Sequence, residues 1–286
     1  MVSTFLIWGG NGWIGSMLKK LLIDDGHKVY VAQSLLEDYI GINHELKLIK
    51  PDFVLNTAGI TGRPTVDWCE NNKQETYLIN TIGMINLADA CHKGGYHLTN
   101  YATGCIYTYD STHPIGTKFS ELDAPNFDGS TYSKSKRMAE ELLKNYDNVL
   151  TLRIRMPISE DLNPKSLVTK LSKYAKVINI PNSMTILSEM LPISLKMAQD
   201  KRIGTYNFTN PGAIGHNEIL LLYKKYVNPE IVWATFTEAE QNAILQSKRS
   251  NCELNVDKLL NEYGLDDIHT AVEKVMIKLS KLQSNK

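Results

Sequence analysis

The sequence predicts an α/β fold built on a doubly wound parallel sheet, and three observations carry that prediction. Short apolar runs alternate along the chain with amphipathic helical stretches. The first run empties into a glycine-rich turn that opens a helix. At 286 residues and 43% hydrophobic composition, the chain can bury one sizeable core with a smaller lobe beside it.

The elements follow in order. Thr4–Trp8 is a short run of β-prone apolar residues ending in Gly9-Gly10-Asn11-Gly12, as a buried strand entering a tight turn would. An amphipathic helix from about Trp13 to Asp25 comes next, then a strand over Lys28–Ala32. A helical stretch around Leu36–Ile49 is closed by Lys50-Pro51, and Asp52–Asn56 supplies a third strand. A helix over Ile79–His92, a strand over His97–Tyr101, a helix from about Ser130 to Tyr146 and a strand over Val149–Ile154 continue the rhythm. After Pro157 the pattern loosens into short pieces separated by turns such as Asn163-Pro164 and Asn228-Pro229. Residues 1–157 therefore read as the main α/β body and 158–286 as a smaller lobe with segments returning to that body. The amphipathic stretch Asp267–Leu282 is expected to pack back on it.

Composition removes several function classes. Lysine plus arginine equals aspartate plus glutamate at 31 each, and no basic block tracks a polyanion, so nucleic acid is not an expected partner. The early apolar run is far shorter than a spanning helix or a signal peptide requires, which implies a soluble, cytoplasmic protein with no membrane partner. Cys69, Cys91, Cys105 and Cys252 stand far apart, with no C-x-x-C pair and no histidine cluster, and read as reduced thiols with no metal site.

The chemistry begins at Gly9, Gly12 and Gly15. They form G-x-x-G-x-x-G between a strand and a helix, where missing side chains let a backbone turn approach a pyrophosphate at the helix N-terminus. The second strand runs into Gln33-Ser34 with neither the acidic residue that would hold the ribose 2′-hydroxyl of NADH nor an arginine for a 2′-phosphate. That leans toward NADPH, while Glu37 could restore NADH binding if its loop folds back. Asn56, Ala58 and Gly59 follow the third strand. Asn80 sits nearby in the order of elements, as a backbone anchor, a proton relay or a simple packing residue.

Tyr132 and Lys136 form Y-x-x-x-K on a helix, so they share a face. An ammonium beside the phenol is expected to favour the phenolate and lower a pKa that starts near ~10. Thr103 closes the segment Tyr101-Ala-Thr103 at the carboxyl edge of the sheet, where it would share a substrate oxygen with Tyr132. If the backbone stays extended, Cys105 points to the same side as Thr103. On residues alone, Cys105 reads first as a small buried hydrophobe, with a catalytic thiol as the alternative.

These residues, in this order, resemble the extended short-chain dehydrogenase/reductases with their Rossmann-type sheet. More narrowly they resemble the nucleotide-sugar 3,5-epimerase/4-reductases related to dTDP-4-dehydrorhamnose reductase. The likeness runs nearly end to end through TGRPTVDWCE, NYATGCIY, YSKSKRMAEELLKNY, LRIRMPIS, IPNSMTIL, NFTNPG and RSNCEL. It implies that Thr103, Tyr132 and Lys136 form a reductase triad, and that Cys105 and Lys170 move protons at C3 and C5 of a UDP-4-keto-6-deoxyglucose. It also implies cofactor contacts from Gly9, Asn11, Gly12, Trp13, Ile14, Gly15, Asn56, Ala58, Gly59, Asn80, Tyr132 and Lys136, the last reaching the ribose hydroxyls. Substrate contacts would come from Thr61, Gly62, Arg63, Asn182 and Arg249. NADPH is the implied cofactor, with NADH as a second choice. Asn11 and Gln33-Ser34 depart from the family pattern.

A separate 4,6-dehydratase is expected to supply the keto sugar, and a homodimer is one expected assembly. The Asn/Ile/Lys-rich composition resembles an AT-rich genome such as that of a large DNA virus, which would place the protein in a host cytoplasm. Two competing readings stand: a reductase alone, in which Cys105 only packs, and an NADP-binding regulatory subunit without turnover. The intact Thr103, Tyr132 and Lys136 set argues against the second.

Overall fold

The computed structural model describes residues 1–284. Its first part alternates β1 (Thr4–Trp8), α1 (Trp13–Asp24), β2 (Lys28–Val31), α2 (Tyr39–Ile49) and β3 (Phe53–Asn56). Two short helices, α3 (Trp68–Asn71) and α4 (Lys73–Tyr77), lead into a π-helical stretch, Leu78–Gly83, that continues as α5 (Met84–Gly94). Then come β4 (His97–Thr103), the two-residue β5 (Lys118–Phe119), α6 (Thr131–Leu143) and β6 (Val149–Ile154). The remainder holds α7 (Leu167–Leu171), β7 (Lys176–Ile178), α8 (Leu187–Gln199), β8 (Gly204–Asn207), α9 (His216–Tyr226), β9 (Ala234–Phe236), α10 (Glu238–Ile244), β10 (Glu253–Leu254), α11 (Asp257–Leu260) and α12 (Ile268–Ser284).

Six strands form the main sheet in the order β2-β1-β3-β4-β6-β8, with β1 parallel to both β2 and β3, and β3 parallel to β4. Every residue of β3 and β4 is buried, as expected of strands covered on both faces, whereas the edge strand β2 leaves alternate residues in solvent. The strand order reverses between β1 and β3. That is the switch point where the loops leaving two neighbouring strands diverge and open a crevice at their carboxyl ends.

By contacts the chain resolves into two compact units, one of Met1–Ile106, Phe127–Arg153 and Leu191–Tyr206, the other of Tyr107–Asn126, Ile154–Met190 and Asn207 onward. Leu6, Trp8, Ile42, Val54, Leu87, Leu98 and Val149 centre the first core. Ile158, Val168, Met184, Ile214, Ile219 and Val272 centre the second.

The differences from the sequence reading have local causes. The helix expected from Leu36 starts at Tyr39, because the Asp38 carboxylate accepts from Gly41 N and caps it there, leaving Leu36 buried in the preceding loop. Helix α6 begins after Ser130, whose hydroxyl accepts from Ser133 N, and it ends at Leu143, short of Tyr146. The strand expected to stop at Tyr101 runs on to Thr103. Helix α8 escaped notice because Pro192 lies inside it. Among the described residues no helix is long and apolar enough to cross a membrane, and no group of three or more His, Cys, Asp or Glu could hold a metal ion.

Candidate active site

The glycine turn is tight because neighbouring backbone leaves no room for side chains. A Cβ on Gly9 would lie 2.6 Å from Ala58 N, and one on Gly15 would lie 2.3 Å from the Gly9 carbonyl oxygen and 2.7 Å from Thr57 Oγ1. Gly9 also has φ +74°, the left-handed region that glycine tolerates best. Gly12 N donates to the Gly9 carbonyl at 2.8 Å and closes the turn. Helix α1 then starts at Gly12 with no side-chain cap and no acidic residue in its first turn. A helix end so arranged is an anion site, and its place at the switch point fits the pyrophosphate of a dinucleotide. Asn11 is exposed at the rim, Trp13 and Gly15 are buried, and Ile14 lies between those extremes.

Asparagines fix the floor of this crevice. Asn56, buried at the end of β3, accepts from Ala58 N at 3.1 Å and donates to Asn100 Oδ1 at 3.1 Å, tying β3 to β4. Asn80, in the π-helical stretch, accepts from Ile60 N at 2.8 Å and donates to Ile60 O at 2.9 Å and Ser135 Oγ at 3.1 Å. One buried amide thus joins the loop after β3 to α6, the helix that carries Tyr132 and Lys136. The geometry makes Asn80 a backbone anchor, in the kind of π-turn that clusters at functional sites.

The Lys136 ammonium lies over that loop, 2.8 Å from where a Cβ on Gly59 would stand. Burial lowers Lys136 to about 8. Tyr132 is hydrogen-bonded through its side chain to Thr103, with Cys105 close enough to act on it electrostatically. Burial pushes the Tyr132 phenol above the ordinary tyrosine value, the thiol of Cys105 adds to the rise, and the Thr103 hydrogen bond opposes it. This corrects the expectation that Lys136 would lower the phenol: desolvation wins, and Tyr132 is held as a protonated acid. Cys105 is half-buried and reaches this place differently from the extended path expected. The strand ends at Thr103, the chain turns, and Cys105 N comes back to donate to Thr103 Oγ1 at 3.1 Å.

Thr61, Gly62 and Arg63 form the loop between β3 and α3, with Thr61 and Arg63 exposed. Lys170, Asn182 and Arg249 belong to the second unit. Lys170, on α7, is held below the ordinary lysine value first by desolvation and then by the charge of Lys165, although the residue as a whole is exposed. Arg249 donates from Nη1 to Ser247 O at 2.8 Å and Ser247 Oγ at 2.6 Å. Asn182 is completely buried, and its amide is occupied: it accepts from Arg155 Nη2 and Cys252 N, and donates to Ile180 O and Asn251 Oδ1. That occupancy corrects its assignment as a substrate contact; Asn182 is a clamp on the segment that carries Arg249.

Residues 5–171 match the NAD dependent epimerase/dehydratase family. The chain belongs to that family. A bifunctional dTDP-4-dehydrorhamnose 3,5-epimerase/dTDP-4-dehydrorhamnose reductase of Arabidopsis thaliana is 52% identical over 262 residues, covering 91% of this chain and 87% of that protein. A trifunctional UDP-glucose 4,6-dehydratase/UDP-4-keto-6-deoxy-D-glucose 3,5-epimerase/UDP-4-keto-L-rhamnose-reductase of the same plant is also 52% identical over 262 residues; the match covers 91% of this chain but only 39% of that longer protein. The crystal structure of a UDP-rhamnose synthase from Acanthamoeba polyphaga mimivirus superposes with a TM-score of 0.94 at 42% identity, over 97% of this chain and all of that one.

Some residues around Tyr132 are not visible as motifs. Glu70, at the end of TGRPTVDWCE, receives Thr131 N and Thr131 Oγ1 at 2.7 Å each and so braces the first turn of α6 beside Tyr132. Its neighbour Cys69, read only as a reduced thiol, also acts electrostatically on Tyr132 and is raised by burial. The one sequence signal for both was their position inside a string shared with the family.

Proposed function

We propose that this protein is a 3,5-epimerase and 4-keto reductase that converts UDP-4-keto-6-deoxy-D-glucose to UDP-L-rhamnose, with NADPH as hydride donor and NADH as a second donor. The observation that carries this reading is the Thr103–Tyr132 hydroxyl pair with Cys105 beside it, on the same unit as the glycine cradle and the Lys136 ammonium over Gly59. The cradle fits a dinucleotide because side chains at Gly9 or Gly15 would fill it. When bound, the cofactor supplies a hydride to C4 of the sugar.

The protein's own residues do the rest. C3 and C5 both flank the C4 ketone, so loss of either proton leaves an enolate whose oxygen the Thr103 and Tyr132 hydroxyls can hold by hydrogen bonds. Inversion takes a proton from one face and returns one to the other, which calls for two carriers. Cys105 and Lys170 are the proposed pair, and desolvation suits Lys170 to the role by bringing its ammonium nearer to neutral pH. In the reductive step Tyr132, protonated because burial holds its phenol up, passes that proton to the C4 oxygen as the carbonyl becomes an alcohol. One oxygen site serves both half-reactions.

The substrate is the product of a sugar-nucleotide 4,6-dehydratase, an activity that the trifunctional Arabidopsis relative carries in the same chain. The proposed setting is the cytoplasm, that of a host cell if the source is viral, in keeping with the mimivirus relative. The test is consumption of NADPH with UDP-4-keto-6-deoxy-D-glucose, with the product read by NMR. UDP-L-rhamnose should form with the wild type and not with Tyr132→Phe. Absence of turnover in the wild type overturns the reading.

A further inference from the structure

The loop after β2 carries a carboxylate that the order of residues does not reveal. Glu45, from the second turn of α2, places one oxygen on two backbone donors at once: Gln33 N at 2.8 Å and Ser34 N at 2.7 Å. Its other oxygen, Oε2, is buried without a hydrogen-bond partner among the described residues, and so is Ser34 Oγ. This loop stands beside the glycine turn, since a Cβ on Gly10 would lie 2.7 Å from a methyl of Val31, the last residue of β2. The carboxyl end of the second strand is where a Rossmann-type sheet meets the adenosine ribose of its dinucleotide.

The charge around this point has one sign. Asp38 lies close by, with Oδ2 and Ser34 Cβ both within 3 Å of the point where a Cβ on Gly41 would stand. Glu37 lies in the same stretch, and no lysine or arginine occurs between Lys28 and Lys47. A ribose 2′-hydroxyl arriving here can donate to the unpartnered Oε2 of Glu45. A 2′-phosphate brings roughly two negative charges, finds Gln33 N and Ser34 N already occupied, and faces the carboxylate.

Resting on the proposed dinucleotide site, we infer that Glu45 determines cofactor choice: it takes the place of the missing acidic residue at the end of β2, accepts the ribose 2′-hydroxyl, and thereby admits NADH alongside NADPH. The test is titration calorimetry of NAD⁺ and NADP⁺ with the whole chain, wild type and Glu45→Gln. The substitution keeps the size of the side chain and an acceptor oxygen but removes the charge. The ratio of the two dissociation constants should shift about tenfold toward NADP⁺ in Glu45→Gln, and an unchanged ratio overturns the inference. Should Glu45→Gln fail to fold, the wild type alone decides through salt. Screening of the repulsion moves the ratio toward NADP⁺ as ionic strength rises from about 0.05 to 0.5 M, and a ratio that stays constant or moves the other way overturns it. Wild-type protein that binds neither dinucleotide would sink the reductase reading itself, an outcome distinct from binding both with no part for Glu45.

Discussion

The ammonium nitrogen of Lys136 stands 2.8 Å from the point where a side chain on Gly59 would begin, and Asn80 Oδ1 stands 3.1 Å from the same point. Gly59 is therefore the seat of the lysine. A methyl group there meets the lysine ammonium and the Asn80 amide oxygen, and it sits on a backbone with φ +159°, which residues with a side chain rarely adopt. Gly59→Ala should lower the melting temperature through the strain of its backbone, about 1–3 kcal/mol, while turnover falls by about 10–100-fold. Melting curves beside steady-state rates would check the pairing of those two results.

Burial of Lys136 also makes a stability prediction. Its folded value of about 8 lies below the ordinary lysine value of 10.5. Below about pH 8 the group is charged in both states, and the folded protein carries the whole cost of desolvating that charge. Between about 8 and 10.5 the unfolded chain binds a proton that the native state lacks, and the cost is progressively relieved. Lys136→Met should accordingly be more stable than wild type at pH 7 by roughly 1–3 kcal/mol, while losing reductase activity. The gap should close as pH rises toward 10. Thermal melts of both proteins at pH 7 and pH 10 measure it.

Cys105 separates the two half-reactions. Cys105→Ser should abolish uptake of solvent deuterium at C3 and C5 of the keto sugar. Reduction of a substrate already epimerised should survive within about tenfold, because Thr103 and Tyr132 still hold the ketone oxygen. Normal deuterium uptake would return Cys105 to the role of a small packing residue.

What could be read from the sequence was whatever depended on near neighbours. The spacing of Gly9, Gly12 and Gly15, and the four-residue step from Tyr132 to Lys136, are local patterns that persist in any strand–turn–helix context. The bracing of α6 by Glu70, the bridge from Asn80 to Ile60 and Ser135, and the reach of Glu45 to Gln33 and Ser34 join residues 11 to 61 positions apart. No periodicity encodes such pairs; packing decides them. The sign of the Tyr132 shift was missed for a related reason. The spacing shows a lysine on the same face but not how little water surrounds the phenol. Asn182 resembled a ligand until its burial showed that all four of its hydrogen-bonding positions were taken.

Gly15 tests the cradle with no flexible group to absorb the change. A Cβ there meets the Gly9 carbonyl at 2.3 Å and Gly10 Cα at 2.8 Å, both backbone atoms in the turn itself. Gly15→Ala should cost about 1–3 kcal/mol of stability and weaken dinucleotide binding at least about tenfold. Gly264→Ala is the control, since no atom lies within 4 Å of the Cβ it would add. Calorimetric binding constants with melting temperatures compare the two.

Asn182 holds the guanidinium of Arg155, which also donates to Ser250 Oγ at 2.8 Å and Ser250 O at 3.0 Å. With its bonds to Cys252 N and Asn251 Oδ1, Asn182 fixes two residues directly, and through Arg155 it fixes Ser250, so that three successive residues just after Arg249 are held. Truncation to alanine leaves a buried cation and two backbone groups short of a partner each, in a place that water does not reach. Asn182→Ala should therefore lose about 2–4 kcal/mol of stability. With Arg249 as the substrate contact that the family resemblance implies, the loosened segment should also raise KM for the nucleotide sugar, with the dinucleotide dissociation constant unchanged because the glycine cradle belongs to the other unit. Hydrogen exchange over residues 249–252 should accelerate in the variant. A stability loss without faster exchange there, or without a change in KM, would mean that the clamp serves the core alone and that Arg249 is held by Ser247 instead.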